Sequence, residues 1–258
     1  MTGQMMSEWN WEPDDFAALW FNEARDRFPR PLHFTSRFRY REEFDTHRTV
    51  VRSRYAGEET DAIELALDTL ERAELRIEVS AETGSARSGD HSHHRVVGVR
   101  NLRHAVVAAQ TVVNGVDGPI WVRQGRPELL GKGIASRIPI SNPGQRNPEE
   151  FHVQDLAPQL DNHFADVARN TPRERYKRLI DRPLIGSGSA AIRIGSLHSR
   201  TEPTRLMEWF DYANDGRYLR YRTIDRIRIE PGSTDHIQRH LTQWIEIEMQ
   251  RTDNAWRK

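Results

Sequence analysis

The chain contains no cysteine. Disulfides, thiolate nucleophiles and cysteine-based zinc sites are therefore excluded. Lysine is almost as scarce, present only at Lys132, Lys177 and Lys258, so nearly all positive charge is arginine. That bias reads as GC-rich coding rather than as a guanidinium-specific function. Neither sign of charge is in excess: 38 Lys and Arg face 38 Asp and Glu. A balanced chain lacks the surplus of cations by which proteins blanket phosphates through counterion release. Long apolar runs are missing too, and Met1 to Pro13 is polar and acidic, without the basic and apolar regions of a signal peptide. A soluble, cytoplasmic protein without membrane insertion is expected, its first thirteen residues flexible. No Walker-type phosphate loop, dinucleotide fingerprint or Gly-x-Ser-x-Gly elbow occurs.

What is present is best read from the last quarter. Ile192 to Ile194, Met207 to Tyr212, Tyr218 to Arg222 and Ile227 to Ile229 alternate apolar and polar residues, the period of half-buried strands. Asp215-Gly216 between the second and third is a hairpin signal. After Pro231-Gly232 the period changes. Ile237, Leu241, Trp244, Ile245 and Met249 form one stripe of a helix that Ser233 or Thr234 can cap.

Earlier in the chain, a short helix carries Phe16, Leu19 and Trp20, and Leu32 to Phe38 reads as a strand. Helices follow over Arg41 to Tyr55 and Glu58 to Ala73, the second with acidic residues at the positive end of its dipole. Leu75 to Val79 is a strand, and Thr83 to His94 a loop. Arg95 to Arg100, His104 to Val113 and Ile120 to Val122 are three more strands, although Gly115 and Gly118 interrupt the apolar pattern of Val113 to Arg123. Pro127 opens a helix continued by Leu130, Ile134 and Ile138; Ser141 to Pro148 is a linker. Leu156, Leu160, Phe164 and Val167 make a further helical face, and Thr171-Pro172-Arg173-Glu174 is a capping box.

Helix, four strands and helix from Ala62 to Ile138 thus recur as helix, four strands and helix from Thr171 to Met249, in pattern but not in identity. The expected fold is α+β: one domain with a central twisted antiparallel sheet flanked by two helical bundles, a pseudo-twofold repeat of helix, β-meander and helix over about 14–140 and 151–250.

Candidate chemistry is sparse. Asp90-His91-Ser92-His93-His94 has metal-ligand residue types, but in a polar loop poorly suited to holding them in place. Gly186-Ser187-Gly188-Ser189 reads as a flexible entry to a strand, and the pairs Asp14-Asp15 and Glu149-Glu150 as helix starts. No enzymatic activity, metal or cofactor is expected. Arg193, Arg217, Arg220, Arg222, Arg226 and Arg228 alternate with Tyr218, Tyr221 and Ile227. This is the composition of an interface core, or of a stacking platform for nucleic acid or a small ligand.

The run Tyr176-Lys177-Arg178-Leu179-Ile180-Asp181-Arg182-Pro183-Leu184-Ile185-Gly186-Ser187-Gly188, a Trp-Phe-Asp strand, Asp215-Gly216-Arg217-Tyr218-Leu219, and a strand from Asp225 to Glu230 ending at Pro231 follow one another in an order that resembles the EspG family of type VII (ESX) secretion. The resemblance runs from about Asp14 to Gln250. It implies a cytoplasmic chaperone that covers the apolar tip of the PPE subunit in a PE–PPE heterodimer, one chaperone per pair, with no cofactor and no nucleic acid. By element, it places partner contacts in the loop Gly84 to His94, with Arg87, Asp90 and His91 as candidates, and on the sheet, with Trp209, Tyr212, Arg220 and Arg222. A nucleic-acid or small-ligand binding protein using the same arginine and aromatic face is the alternative.

Overall fold

A computed structural model describes residues 7–84, 89, 91–157, 171–199 and 201–256. Strand β1 (Glu8–Trp11) precedes three helices, α1 (Pro13–Trp20), α2 (Arg41–Arg52) and α3 (Glu58–Glu71). A meander follows: β2 (Leu75–Gly84), β3 (His91–Arg100), β4 (Ala105–Val113) and β5 (Val116–Gly125). A 3-10 turn (Pro127–Leu129) leads into α4 (Leu130–Ala135), then β6 (Glu149–His152) and a second 3-10 turn (Val153–Leu156). Helix α5 (Pro172–Ile180) opens the second meander, β7 (Leu184–Ile194), β8 (Arg205–Tyr212), β9 (Gly216–Arg222) and β10 (Arg226–Pro231), closed by α6 (Thr234–Trp256).

All described strands join one antiparallel sheet in the order β1-β5-β4-β3-β2-β7-β8-β9-β10-β6. The first strands of the two meanders, β2 and β7, pair at its centre, from Leu75 opposite Ile194 to Thr83 opposite Gly186. Each meander then runs outward to its own edge.

Alternation decides which face each side chain meets. Leu75, Ile77 and Val79 of β2, Ala190 and Ile192 of β7, and Met207 and Trp209 of β8 form one core with Leu130 and Ile134 of α4 and Ile237, Leu241 and Ile245 of α6. One helical layer therefore spans both meanders. It is closely packed because glycine lies at two of its contacts: a Cβ on Gly98 of β3 would lie 2.3 Å from Ile134 Cδ1 of α4, and one on Gly131 of α4 2.5 Å from Thr242 Oγ1 of α6. On the opposite face α1, α2 and α3 pack Phe16, Trp20, Val51, Ile63 and Leu67 against Val97, Val106, Ile120 and Val122. At the far end of that face α5 adds Leu179 to Phe151, Tyr212, Tyr218 and Ile229. The Thr171 capping box forms as expected, its hydroxyl accepting the Glu174 N–H at 3.2 Å while the Glu174 carboxylate accepts the Thr171 N–H at 3.2 Å.

Several expectations are corrected. Residues 8–11 are not flexible but form the edge strand β1. Trp11, buried, donates its indole N–H to Tyr55 Oη at 2.8 Å, which supplies the anchor that polarity alone hides. Leu32 to Phe38 is irregular and not a strand. The buried Gln110 amide takes the place of a ladder partner there, accepting the His33 N–H at 2.8 Å and donating to the His33 carbonyl at 3.0 Å. The expected loop from Thr83 to His94 is strand at both ends, because β2 runs to Gly84 and β3 begins at His91. Val116 to Gly125 does form a strand, and a register shift between Gln110 and Val112 accommodates its glycine-bearing start. Gly186 to Ser189 is not an entry but part of β7, and Glu149-Glu150 lies in β6 rather than at a helix start. The helical face at Leu160, Phe164 and Val167 lies outside the described residues.

Candidate partner-binding surface

The helices on the second face leave its middle uncovered among the described residues. Residues of β2 that alternate with the Leu75-Ile77-Val79-Ala81 core set point there, as do their partners on β7, β8 and β9. Ser80 stands opposite Ser189, Ser189 opposite Glu208, and Glu208 opposite Arg220, one transverse row across four strands. At the usual strand spacing the row is roughly 14 Å long. The adjacent row is Glu82, Ser187 and Phe210. Leu206, on the same face, is 47% exposed.

The charges in this strip are paired. Glu208 accepts two hydrogen bonds from Arg220, at 2.8 Å and 2.7 Å, and Arg220 also donates to Tyr176 Oη of α5 at 2.9 Å. Burial works against the Arg220 charge, but the hydrogen bonds and charge of Glu208 outweigh it and hold its pKa up. The guanidinium lies over Phe210, 4.9 Å from the ring centroid. Toward the α1 end the strip opens into a cavity of about 420 Å³ whose lining includes Trp20, Phe28, Arg76, Glu78, Arg193 and Leu197. Two of its arginines serve as internal ties. Arg76 donates to Glu78 at 2.9 Å and to the carbonyls of Gly195, Ser196 and Ser199, and Arg193 donates to Glu78 at 3.1 Å.

The pleat separates the residues singled out from sequence. Arg220 lies on the open strip, and Arg222, exposed, follows it on the same side of β9. His91 is exposed at the start of β3, at the hairpin end; Arg87 and Asp90 lie outside the described residues. Trp209 and Tyr212 do not face outward. Trp209 is 1% exposed in the core under α6, and Tyr212, 3% exposed, lies under the Arg182 guanidinium, 3.6 Å from its ring centroid. Trp209 is on the core face beneath α6, whereas Tyr212 shares the face of Phe210 but is covered there by α5 and Arg182. Ser80, Glu82, Ser187, Ser189 and Glu208 are not among the contacts expected from sequence. The signal was available in β2, whose polar positions mark an open face as clearly as its apolar ones mark the core.

The same alternation divides the histidine cluster. His93 faces the strip, 3.3 Å from Glu82, while His94 points to the opposite face between Thr83 Oγ1 and Thr111 Oγ1, each at 3.4 Å. Burial, then the neighbouring His93, lowers the His94 pKa. Among the described residues no group of three His, Asp or Glu side chains converges on a common point.

The Asp-Gly-Arg-Tyr turn is structural. Asp215 accepts the Gln145 N–H at 2.9 Å, the Tyr218 hydroxyl at 2.9 Å and the Arg182 guanidinium. Gly216 adopts φ +118°, and a Cβ there would fall 2.6 Å from the Asn142 carbonyl oxygen, so only glycine fits. Arg217, 0% exposed, donates to Asp211 at 2.7 Å and 2.8 Å and to the Pro139 carbonyl at 2.8 Å. Together these residues bind the 139–146 linker to the β8–β9 hairpin. Burial alone would raise the Asp215 pKa, but the hydrogen bonds from Gln145, Arg182 and Tyr218 outweigh it and hold the carboxyl below its ordinary value. A carboxylate depressed in the folded state stabilises it fully above the unfolded pKa of about 3.9 and loses that contribution as pH falls through the lower folded value. Asp215→Asn is therefore expected to lower the urea midpoint at pH 7, and the gap from the parent should shrink as pH falls below about 4. A gap constant from pH 7 to pH 2.5 would contradict this assignment.

Comparison with curated proteins finds no match. No helix among the described residues is long and apolar enough to cross a membrane. The sequence model of the EspG family matches residues 12–243, from the residue before α1 into α6, taking in both meanders and the Asp215 clamp. The chain therefore belongs to the EspG family, the chaperones associated with type VII secretion.

Proposed function

We propose that this protein is a cytoplasmic chaperone that binds a PE–PPE heterodimer through the apolar tip of its PPE subunit, as a 1:1:1 complex, and keeps it export-competent. The observation that carries the reading is the family match over nearly the whole chain. The open strip beside the β2–β3 hairpin supports it, offering Leu206 and Phe210 among paired charges, a composition suited to a protein partner. We read the chain as a single domain whose two meanders, meeting at β2 and β7, form a pseudo-twofold repeat with a helical layer in common. Covering an exposed apolar end prevents self-association, and no bond need be made or broken. The nucleic-acid alternative loses ground because five of its six arginines are committed, Arg222 being the exception among the described residues: Arg193 to Glu78, Arg217 to Asp211, Arg220 to Glu208, Arg226 to Glu150 and Arg228 to Glu230.

Co-expression with PE–PPE pairs from the same genome, followed by size exclusion, tests the reading. One pair is expected to co-elute with the chain, and failure with every pair would remove the proposal. In that complex Arg220→Ala combined with Arg222→Glu should weaken binding about tenfold or more. Stability should change by no more than about 1 kcal/mol, because the Arg220–Glu208 pair is partly solvent-exposed. Raising salt from about 50 to 200 mM should alter affinity far less than the roughly 10³- to 10⁵-fold expected of a phosphate binder with many contacts.

A further inference from the structure

A cleft on the helix-covered face lies outside the partner surface. It runs between α4, with the 3-10 turn before it, and strands β4 and β5, and has a volume of about 210 Å³. It exists because α4 is only six residues long and is seated over β3, with Ile134 on Gly98, so the outer strands are incompletely roofed. Ala105 pairs with Gly125 and Val107 with Arg123, which places all four on this face. Ala105, Val107 and Leu130 make an apolar floor, and Leu129, 43% exposed, stands at the mouth. Gly125 contributes no side chain, and a Cβ built there meets nothing within 4 Å.

The rim has the opposite character. Arg123, Arg126 and Lys132 line it, and among the described residues no carboxylate does. Glu8 stands across from Arg123 in the ladder and keeps its negative charge while accepting the Trp121 indole N–H at 2.7 Å, so the net positive charge of the mouth rests on Arg126 and Lys132. An apolar floor beneath a cationic mouth selects a ligand with an apolar tail and an anionic head. The volume falls below the roughly 300–1,000 Å³ of drug-sized sites, so the tail is short: one large side chain or a short acyl chain.

We propose that this cleft binds a short apolar chain ending in a carboxylate. Two sources share that chemistry, a free short-chain carboxylate and the C-terminal residue of a polypeptide with an apolar side chain. The inference does not depend on the chaperone reading.

Methyl NMR of the full chain, following Val107, Leu129 and Leu130, tests it with octanoate and with a pentapeptide ending in leucine as the free acid. Octylammonium and the amidated pentapeptide are the controls. Saturable shifts at these methyls are expected with at least one acid and should be about tenfold weaker or absent with its control. Shifts with octanoate alone identify a free carboxylate as the ligand; shifts with the free-acid peptide identify a chain terminus. Gly125→Leu, which fills open space, and Arg126→Glu with Lys132→Glu, at exposed positions, should each reduce binding about tenfold while leaving the methyl spectrum dispersed. No shift with either acid, equal binding of octylammonium, or binding unaffected by both variants would overturn the proposal.

Discussion

Replacing Arg217 with methionine is expected to destabilise the fold by about 3–5 kcal/mol, the range for removing one partner of a buried ion pair. Arg217 is wholly buried and Asp211 is 5% exposed, so water cannot take over the lost bonds. The substitution leaves the Asp211 carboxylate without its two-pronged partner, and the Pro139 carbonyl without the donor at 2.8 Å. The cost arises from the uncompensated charge and not from the attraction itself. Asp211→Leu combined with Arg217→Met should accordingly be less destabilised than Arg217→Met alone. Urea unfolding at pH 7 measures both. A single variant within about 1 kcal/mol of the parent would show that the pair is not a central tie of this fold.

Trp209→Ala should cost a similar amount, about 3–5 kcal/mol, for a different reason. The indole fills the core between the sheet and α6, lying so close over β7 that a Cβ on Gly188 would sit 2.3 Å from Cζ2. Truncation removes that burial and opens a cavity walled by regular strands, which cannot collapse freely. Any loss of partner binding in this variant should follow its unfolded fraction and largely recover in Trp209→Phe. An Arg222→Glu variant should behave in the reverse way, stable but impaired in binding. If Trp209→Ala stays folded with normal stability yet fails to bind, the indole is a contact residue and its assignment to the core is wrong. The Arg217 guanidinium lies 5.7 Å from the Trp209 ring centroid, so the two variants are also expected to be non-additive.

Strand periodicity made most of the architecture legible. Both meanders, the helix at Glu58–Glu71 and the long C-terminal helix can be read from residues that repeat every two or every three to four positions. Errors arose where a side chain substitutes for backbone pairing or where polarity conceals an anchor. Gln110 holds the chain at His33 without any ladder, and nothing within Leu32 to Phe38 reveals a partner so distant in sequence. The hairpin ends of β2 and β3 look like loop because serine, glutamate and histidine face an open strip, yet their backbones are paired on both sides. The proposed partner surface is half legible for the same reason. Alternation identifies two faces but does not say where each is roofed, so it does not reveal that Trp209 is covered by α6 and Tyr212 by α5 and Arg182, or that Ser80, Ser189 and Glu208 lie on the open strip. The Asp215 clamp stood out as a motif, but its role lies in contacts to residues 142–146, far away in sequence.

The two margins of the sheet have a further consequence. Each ends in a strand of only four residues, Glu-Trp-Asn-Trp at one side and Glu-Glu-Phe-His at the other. Margins so brief are poor templates for an incoming backbone, because a recruited chain would gain few hydrogen bonds. A broad sheet can in this way remain at working concentration beside sticky clients without polymerising through its own rims.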